Sequence, residues 1–89
     1  MKVVYAKALL GDLETVSRNP DVKKRLSKLI ETLKAIDTLD EIRHIKKIEG
    51  YDCYYRVRIG DYRLGLKISE DTIELIRFLH RRDVYRRFP

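Results

Sequence analysis

Two stretches in the second half of the chain carry the side chains that can hold a phosphodiester and move protons around it. They are Tyr55-Arg56-Val57-Arg58-Ile59-Gly60-Asp61-Tyr62-Arg63 and His80-Arg81-Arg82-Asp83-Val84-Tyr85-Arg86-Arg87. Guanidinium groups grip phosphate oxygens bidentately and stay charged at any physiological pH. An imidazole exchanges protons near neutrality, and a phenol can donate a proton or stack on a base. Strand alternation puts Arg56 and Arg58 on one face, so their charges converge. The set reads as a site for RNA that needs neither metal nor cofactor. Arg56, Arg58, Arg63 and Arg81 would bind phosphate, Lys46, Lys47 and Arg82 would extend the positive surface, and His80 and Tyr85 would transfer protons. The competing reading leaves each strand arginine exposed and paired with Asp52, Asp61 or Glu74. Tyr51, Tyr54 and Tyr55 can stack on nucleotides or simply pack. His44 and Cys53 have no such neighbourhood and read as ordinary strand or surface residues.

The elements that must position these groups fit in one domain, because 89 residues support one hydrophobic core but not two. With 44% hydrophobic and 38% charged residues and few Gly or Pro, the composition is that of a folded domain. The formal charge of +6 favours an anionic partner, whether nucleic acid, anionic membrane or acidic protein. Five arginines from Arg77 onward against the single Asp83 leave the last thirteen residues at net +4. A single cysteine excludes an internal disulfide and fits a reducing cytosol. No apolar run reaches the ~20 residues of a membrane span, and the first residues lack a signal peptide's apolar region. A cytoplasmic protein without membrane contact is expected.

Val3 to Tyr5 can form a first strand, after which Tyr5, Ala8, Leu9, Leu13 and Val16 recur at helical spacing. This helix should end near Ser17 to Asn19. Asn19 then caps a second helix with Pro20 at its first position, where the missing N–H costs nothing. Val22, Leu26, Leu29, Ile30, Leu33 and Ile36 form its apolar stripe, opposite a solvated face of Lys23, Lys24, Lys28, Glu31 and Lys34. Thr38 to Glu41 reads as loop, and Ile42 to Ile48 is ambiguous. Tyr54 to Ile59 and Tyr62 to Ile68 alternate as strands around a Gly60-Asp61 turn that needs positive φ at Gly. Tyr62, Leu64, Leu66 and Ile68 would face the helices, leaving Arg63, Gly65 and Lys67 for a ligand. After the Ser69-Glu70-Asp71 turn, Thr72 to Leu79 is the last strand. The order β-α-α-β-β-β predicts an α+β fold, two antiparallel helices on one face of a mainly antiparallel sheet.

Three blocks in order, Lys46-Lys47-Ile48-Glu49-Gly50, then Tyr55 to Arg63, then His80-Arg81-Arg82-Asp83-Val84-Tyr85, resemble the RelE/ParE superfamily of toxins, on its RelE side. The resemblance spans nearly the whole chain. It implies the toxin of a type II toxin-antitoxin system, a metal-independent endoribonuclease that cleaves mRNA in the ribosomal A site and is silenced by a cognate acidic antitoxin. DNA would be reached only through that antitoxin. Carried over by residue, Arg56 and Arg58 fall on the family's basic strand positions, and Arg63 on the arginine of its Tyr-Arg pair. Arg81 matches a second phosphate-binding arginine, His80 a position where many members place histidine, and Tyr85 a C-terminal tyrosine that orients or stacks on substrate. Leu79, where many relatives have Gly, and Leu66-Lys67, where many have Tyr and an acidic residue, depart from the pattern. The superfamily also includes non-enzymatic ParE-like poisons of DNA gyrase, which is the alternative function.

Overall fold

Val3 and Val4 lie in the first strand, β1 (Lys2–Tyr5), of a computed structural model that describes residues 1–89. Helix α1 (Lys7–Val16) follows at once, so Tyr5 belongs to the strand and not to the helical stripe that its spacing suggests. Asn19 caps α2 (Pro20–Ala35) by accepting the Val22 N–H at 3.2 Å, with Pro20 in the first turn. Thr38 to Glu41 is tighter than a loop. Leu39–Glu41 forms a 3-10 turn with Thr38 as its N-cap in a reciprocal capping box.

The remaining elements are β2 (Ile45–Lys47), β3 (Tyr54–Ile59), β4 (Tyr62–Ser69), β5 (Thr72–His80) and a terminal helix α3 (Arg81–Arg87). The five strands order as β1-β5-β4-β3-β2, and only β1 runs parallel to its neighbour. The expected α+β fold is present, with two additions: β2 as an edge strand and α3 at the end. Gly60 turns the β3–β4 hairpin at φ 57°, as its position requires. Glu70 takes the same left-handed conformation in the next turn at φ 55°, without glycine's freedom.

The main core lies between α1, α2 and the inner face of the sheet. Leu9, Leu33, Leu64, Leu66, Ile73 and Leu75 are all within 1% of complete burial there. Tyr62 stacks on Phe78 at 5.3 Å at its margin. One charged residue interrupts the apolar stripe of α1. Asp12 is buried, receives Nε and Nη2 of Arg77 at 2.8 Å each, and accepts the Phe78 N–H at 2.9 Å. β1 has ended at this level, so the carboxylate takes over the ladder's role for that amide. The hydrogen bond to Asp12 holds the Arg77 guanidinium above its usual range, against the opposing effect of burial.

The outer face is not left bare. Leu79, Val84 and Phe88 form a second small core as α3 folds back across β4 and β5. Gly65 makes this possible, because a Cβ there would sit 2.7 Å from the Phe88 ring. The outer positions around Gly65, expected to face a ligand, are therefore partly covered. What remains open is the end of the sheet nearest the Gly60-Asp61 turn.

Candidate active site

Strand pairing, not helix geometry, assembles the open patch. In the register of β2 with β3, Lys46 lies directly opposite Arg56, and in that of β3 with β4, Arg58 lies directly opposite Arg63. Alternation puts all four on the outer face. Like charges directly opposite in a sheet repel, costing roughly 0.2–1 kcal/mol per pair. None of the four is relieved by an ion pair, since the acidic partners in the chain go to Lys34, Arg77, Arg81 and Arg86.

Two adjoining hollows open on this patch. The first, about 330 Å³, is lined by Lys46, Arg56, Arg58, Arg63, Tyr85 and His44. The second, about 380 Å³, shares His44, Arg58 and Arg63 with it and adds Arg25, Arg81 and Asp61. Arg63 is braced against the hairpin, its Nη1 donating to the carbonyls of Gly60 and Tyr62 at 2.9 Å each. Arg81 enters from the start of α3, fixed by its backbone N–H on the Asp61 carbonyl at 2.7 Å. Its Nε stands 3.9 Å from the Asp61 carboxylate, with both side chains mostly exposed, so this pair holds the guanidinium loosely. Tyr85, 72% exposed, presents its ring to Arg56, whose Cζ lies 4.6 Å from the ring centroid.

Of the residues the sequence nominates, Arg56, Arg58, Arg63, Arg81, Lys46 and Tyr85 thus converge on adjoining hollows. The others do not. His80 pairs with Tyr62 in the sheet and turns to the helix-side face, its ring edge-on to Tyr62 at 5.5 Å. Its Nδ1 accepts the Arg82 N–H at 3.3 Å and so caps α3. Lys47 lies opposite Tyr55, which packs on the main core, and alternates away from Lys46. Arg82 is exposed on α3 and lines neither hollow. Tyr54 packs edge-on against Phe88 at 5.8 Å and against Tyr51 at 5.7 Å, leaving Tyr85 as the aromatic ring in the site.

Two lining residues escape a reading of the sequence. Arg25 reaches the site from α2, close enough to Gly60 that its guanidinium would meet a Cβ there at 3.0 Å. His44 sits at φ 60° just before β2, with its Nδ1 3.1 Å from Nη2 of Arg58. Their available signals were faint: an arginine among the lysines of the polar helix face, and a histidine two residues ahead of Lys46.

A face of unpaired guanidinium and ammonium groups, with one imidazole and one phenol, can bind a phosphodiester and stabilise extra negative charge on it. Comparison with known proteins identifies the family. Residues 3–85 match the family model of the ParE toxin of the type II toxin-antitoxin system, parDE. The chain is 41% identical to Toxin RelE3 of Methanocaldococcus jannaschii over 90 residues, covering 100% of each. Its fold is similar to that in the crystal structure of the RelB-RelE antitoxin-toxin complex from Methanococcus jannaschii, at TM-score 0.83 and 38% identity, covering 97% of this chain and 99% of that one. The archaeal RelE-RelB complex from Pyrococcus horikoshii shares the fold alone, with TM-score 0.72, 21% identity and coverage of 90% and 93%. Fold, match across nearly the whole length and curated relatives agree: the chain belongs to the RelE/ParE superfamily and is a toxin of a type II toxin-antitoxin system.

Proposed function

We propose that this toxin is a ribosome-dependent endoribonuclease that cuts mRNA in the A site and so inhibits translation. The observation that carries the reading is the double like-charge pairing of Lys46 with Arg56 and of Arg58 with Arg63. A fold keeps such repulsion where an anion relieves it. The reaction is attack of a ribose 2′-hydroxyl on the adjacent phosphate, giving a 2′,3′-cyclic phosphate and a free 5′-hydroxyl. Arg63 and Arg81, which both line the second hollow, would bear the charge of the pentacoordinate phosphate. Tyr85 would stack on or orient the substrate, and Lys46, Arg56 and Arg58 would hold the backbone. The hollows are open and shallow, so the ribosome would supply the positioning that the protein alone lacks.

The relatives crystallised with RelB support a cognate antitoxin here too, a small acidic chain that would neutralise the patch and carry any contact with DNA. The exposed, unpaired Cys53 suits the reducing cytoplasm in which such a pair would act. Arg63→Ala and Arg81→Ala should each lower mRNA cleavage by about 10²–10³-fold, the usual loss when one transition-state donor is removed. Primer extension on mRNA from a translating extract reads this out, and full cleavage by either variant rejects the site.

The match to the ParE model favours a second reading, a non-enzymatic inhibitor of DNA gyrase. A supercoiling assay separates the two. Inhibition of supercoiling with mRNA left intact would replace the ribonuclease reading.

A further inference from the structure

Resting on the ribonuclease reading, we propose that His44 is the catalytic residue that takes the 2′-hydroxyl proton, and that Arg58 occupies its Nδ1 until a phosphate arrives. The reaction needs a base, and guanidinium, ammonium and phenol groups hold their protons at neutral pH. Those are the other groups of the first hollow. The imidazole of His44 lines both hollows, whereas that of His80 faces the other side of the sheet and caps α3.

The contact with Arg58 defines the state of the ring. A guanidinium donates and never accepts, so the 3.1 Å approach of Nη2 makes Nδ1 the acceptor and leaves the ring proton on Nε2. Arg58 grips the same residue by its backbone as well, its N–H donating to the His44 carbonyl at 3.1 Å. The charged surroundings of the ring are mostly cationic. From the sheet Lys46, Arg56, Arg58 and Arg63 face the hollows, and Arg25 and Arg81 approach from α2 and α3. Asp61 and Glu41 are the carboxylates nearby, with Lys28 and Arg43 beside Glu41 and the Tyr85 phenol across the first hollow. His44 also sits at φ 60°, in the left-handed region that residues other than glycine seldom occupy.

A phosphate entering the patch competes for Arg58 and frees Nδ1. The 2′-oxygen then forms its bond to phosphorus while its proton passes to Nδ1. The resulting imidazolium faces the phosphorane's negative charge. The bond from phosphorus to the 5′-oxygen breaks, that oxygen takes a proton from solvent, and the imidazolium returns its extra proton to solvent. Nothing is oxidised or consumed. The base is thus switched on by its own substrate.

The test is single-turnover cleavage of mRNA on programmed ribosomes as a function of pH, with His44→Gly and His44→Asn. Both replacements accept positive φ, so folding should persist, and thermal melting verifies it. The expected result is a wild-type rate that rises with pH to a plateau, and a loss of about 10²–10⁴-fold in each variant together with that rise. Added imidazole should restore part of the His44→Gly rate. Wild-type rates in the variants overturn the proposal, as does a reduced rate that keeps the wild-type pH rise and ignores imidazole. An uncut mRNA with wild-type protein overturns the ribonuclease reading itself and this step with it. Cleavage by wild type and variants alike removes only the role of His44.

Discussion

Asp12 illustrates how one residue ties a helix to a sheet. It occupies a position in the buried stripe of α1 where a leucine would be expected, and its carboxylate serves both the Arg77 guanidinium and the Phe78 amide. Replacement by Ala would leave a half-buried charge and a buried N–H without partners, and the loss of a buried pair's partner typically costs about 3–5 kcal/mol. Urea unfolding of Asp12→Ala should show a loss in that range, while Asp12→Leu together with Arg77→Leu should recover much of it. Because Arg77 is raised further above its usual range, deprotonation of the guanidinium would remove this pair only in strong base. Glu70 makes the opposite case. Its φ of 55° in an exposed turn offers no evident function, so Glu70→Gly should relieve roughly 1 kcal/mol of strain and raise the melting temperature by about 4–8 °C. An unchanged or lower melting temperature would mean that the Glu70 side chain stabilises the turn in a way its contacts do not reveal.

At the scale of elements, α3 governs how much of the outer face a ligand can reach. The helix brings Arg81 and Tyr85 to the hollows from one end and anchors itself by Phe88 over Gly65 at the other. Gly65→Ala should push the Phe88 ring away and loosen α3, lowering stability and cleavage together. In the double variant with Phe88→Ala the added methyl has no ring to strike. A double-mutant cycle should therefore give a coupling of about 0.5–3 kcal/mol in that direction, and strict additivity would show that α3 does not sit on Gly65. The edge strand β2 has the complementary role. Only Ile45–Lys47 in length, it serves less to extend the sheet than to set Lys46 beside Arg56 and to bring His44 onto Arg58.

For the whole molecule, charge and architecture act against each other. The net +6, with its unpaired cluster of Lys46, Arg56, Arg58 and Arg63, should make the free toxin less stable than its core allows, and screening should recover part of the difference. The melting temperature is accordingly expected to rise with ionic strength, and to rise less in Lys46→Thr, whose stability at low salt should exceed wild type by about 0.5 kcal/mol. A salt-independent melting temperature in wild type would show that the patch is not under strain. Much of this organisation is legible from local pattern. Asn19-Pro20 marks a helix start and Gly60 marks a hairpin because capping and positive φ are demands that a few residues meet in place. The alternation from Tyr54 to Ile68 likewise separates core side from ligand side, and the three basic blocks identify the superfamily. Side-chain type and short-range periodicity determined the fold class and nominated most of the arginines that line the hollows. Only tertiary structure decided that His80 turns inward to cap a helix, that Gly65 is roofed by Phe88, and that His44 and Arg25 join the hollows. Those outcomes depend on strand register and on contacts between residues as far apart as 25 and 60, which chain closure and packing set and no local spacing encodes.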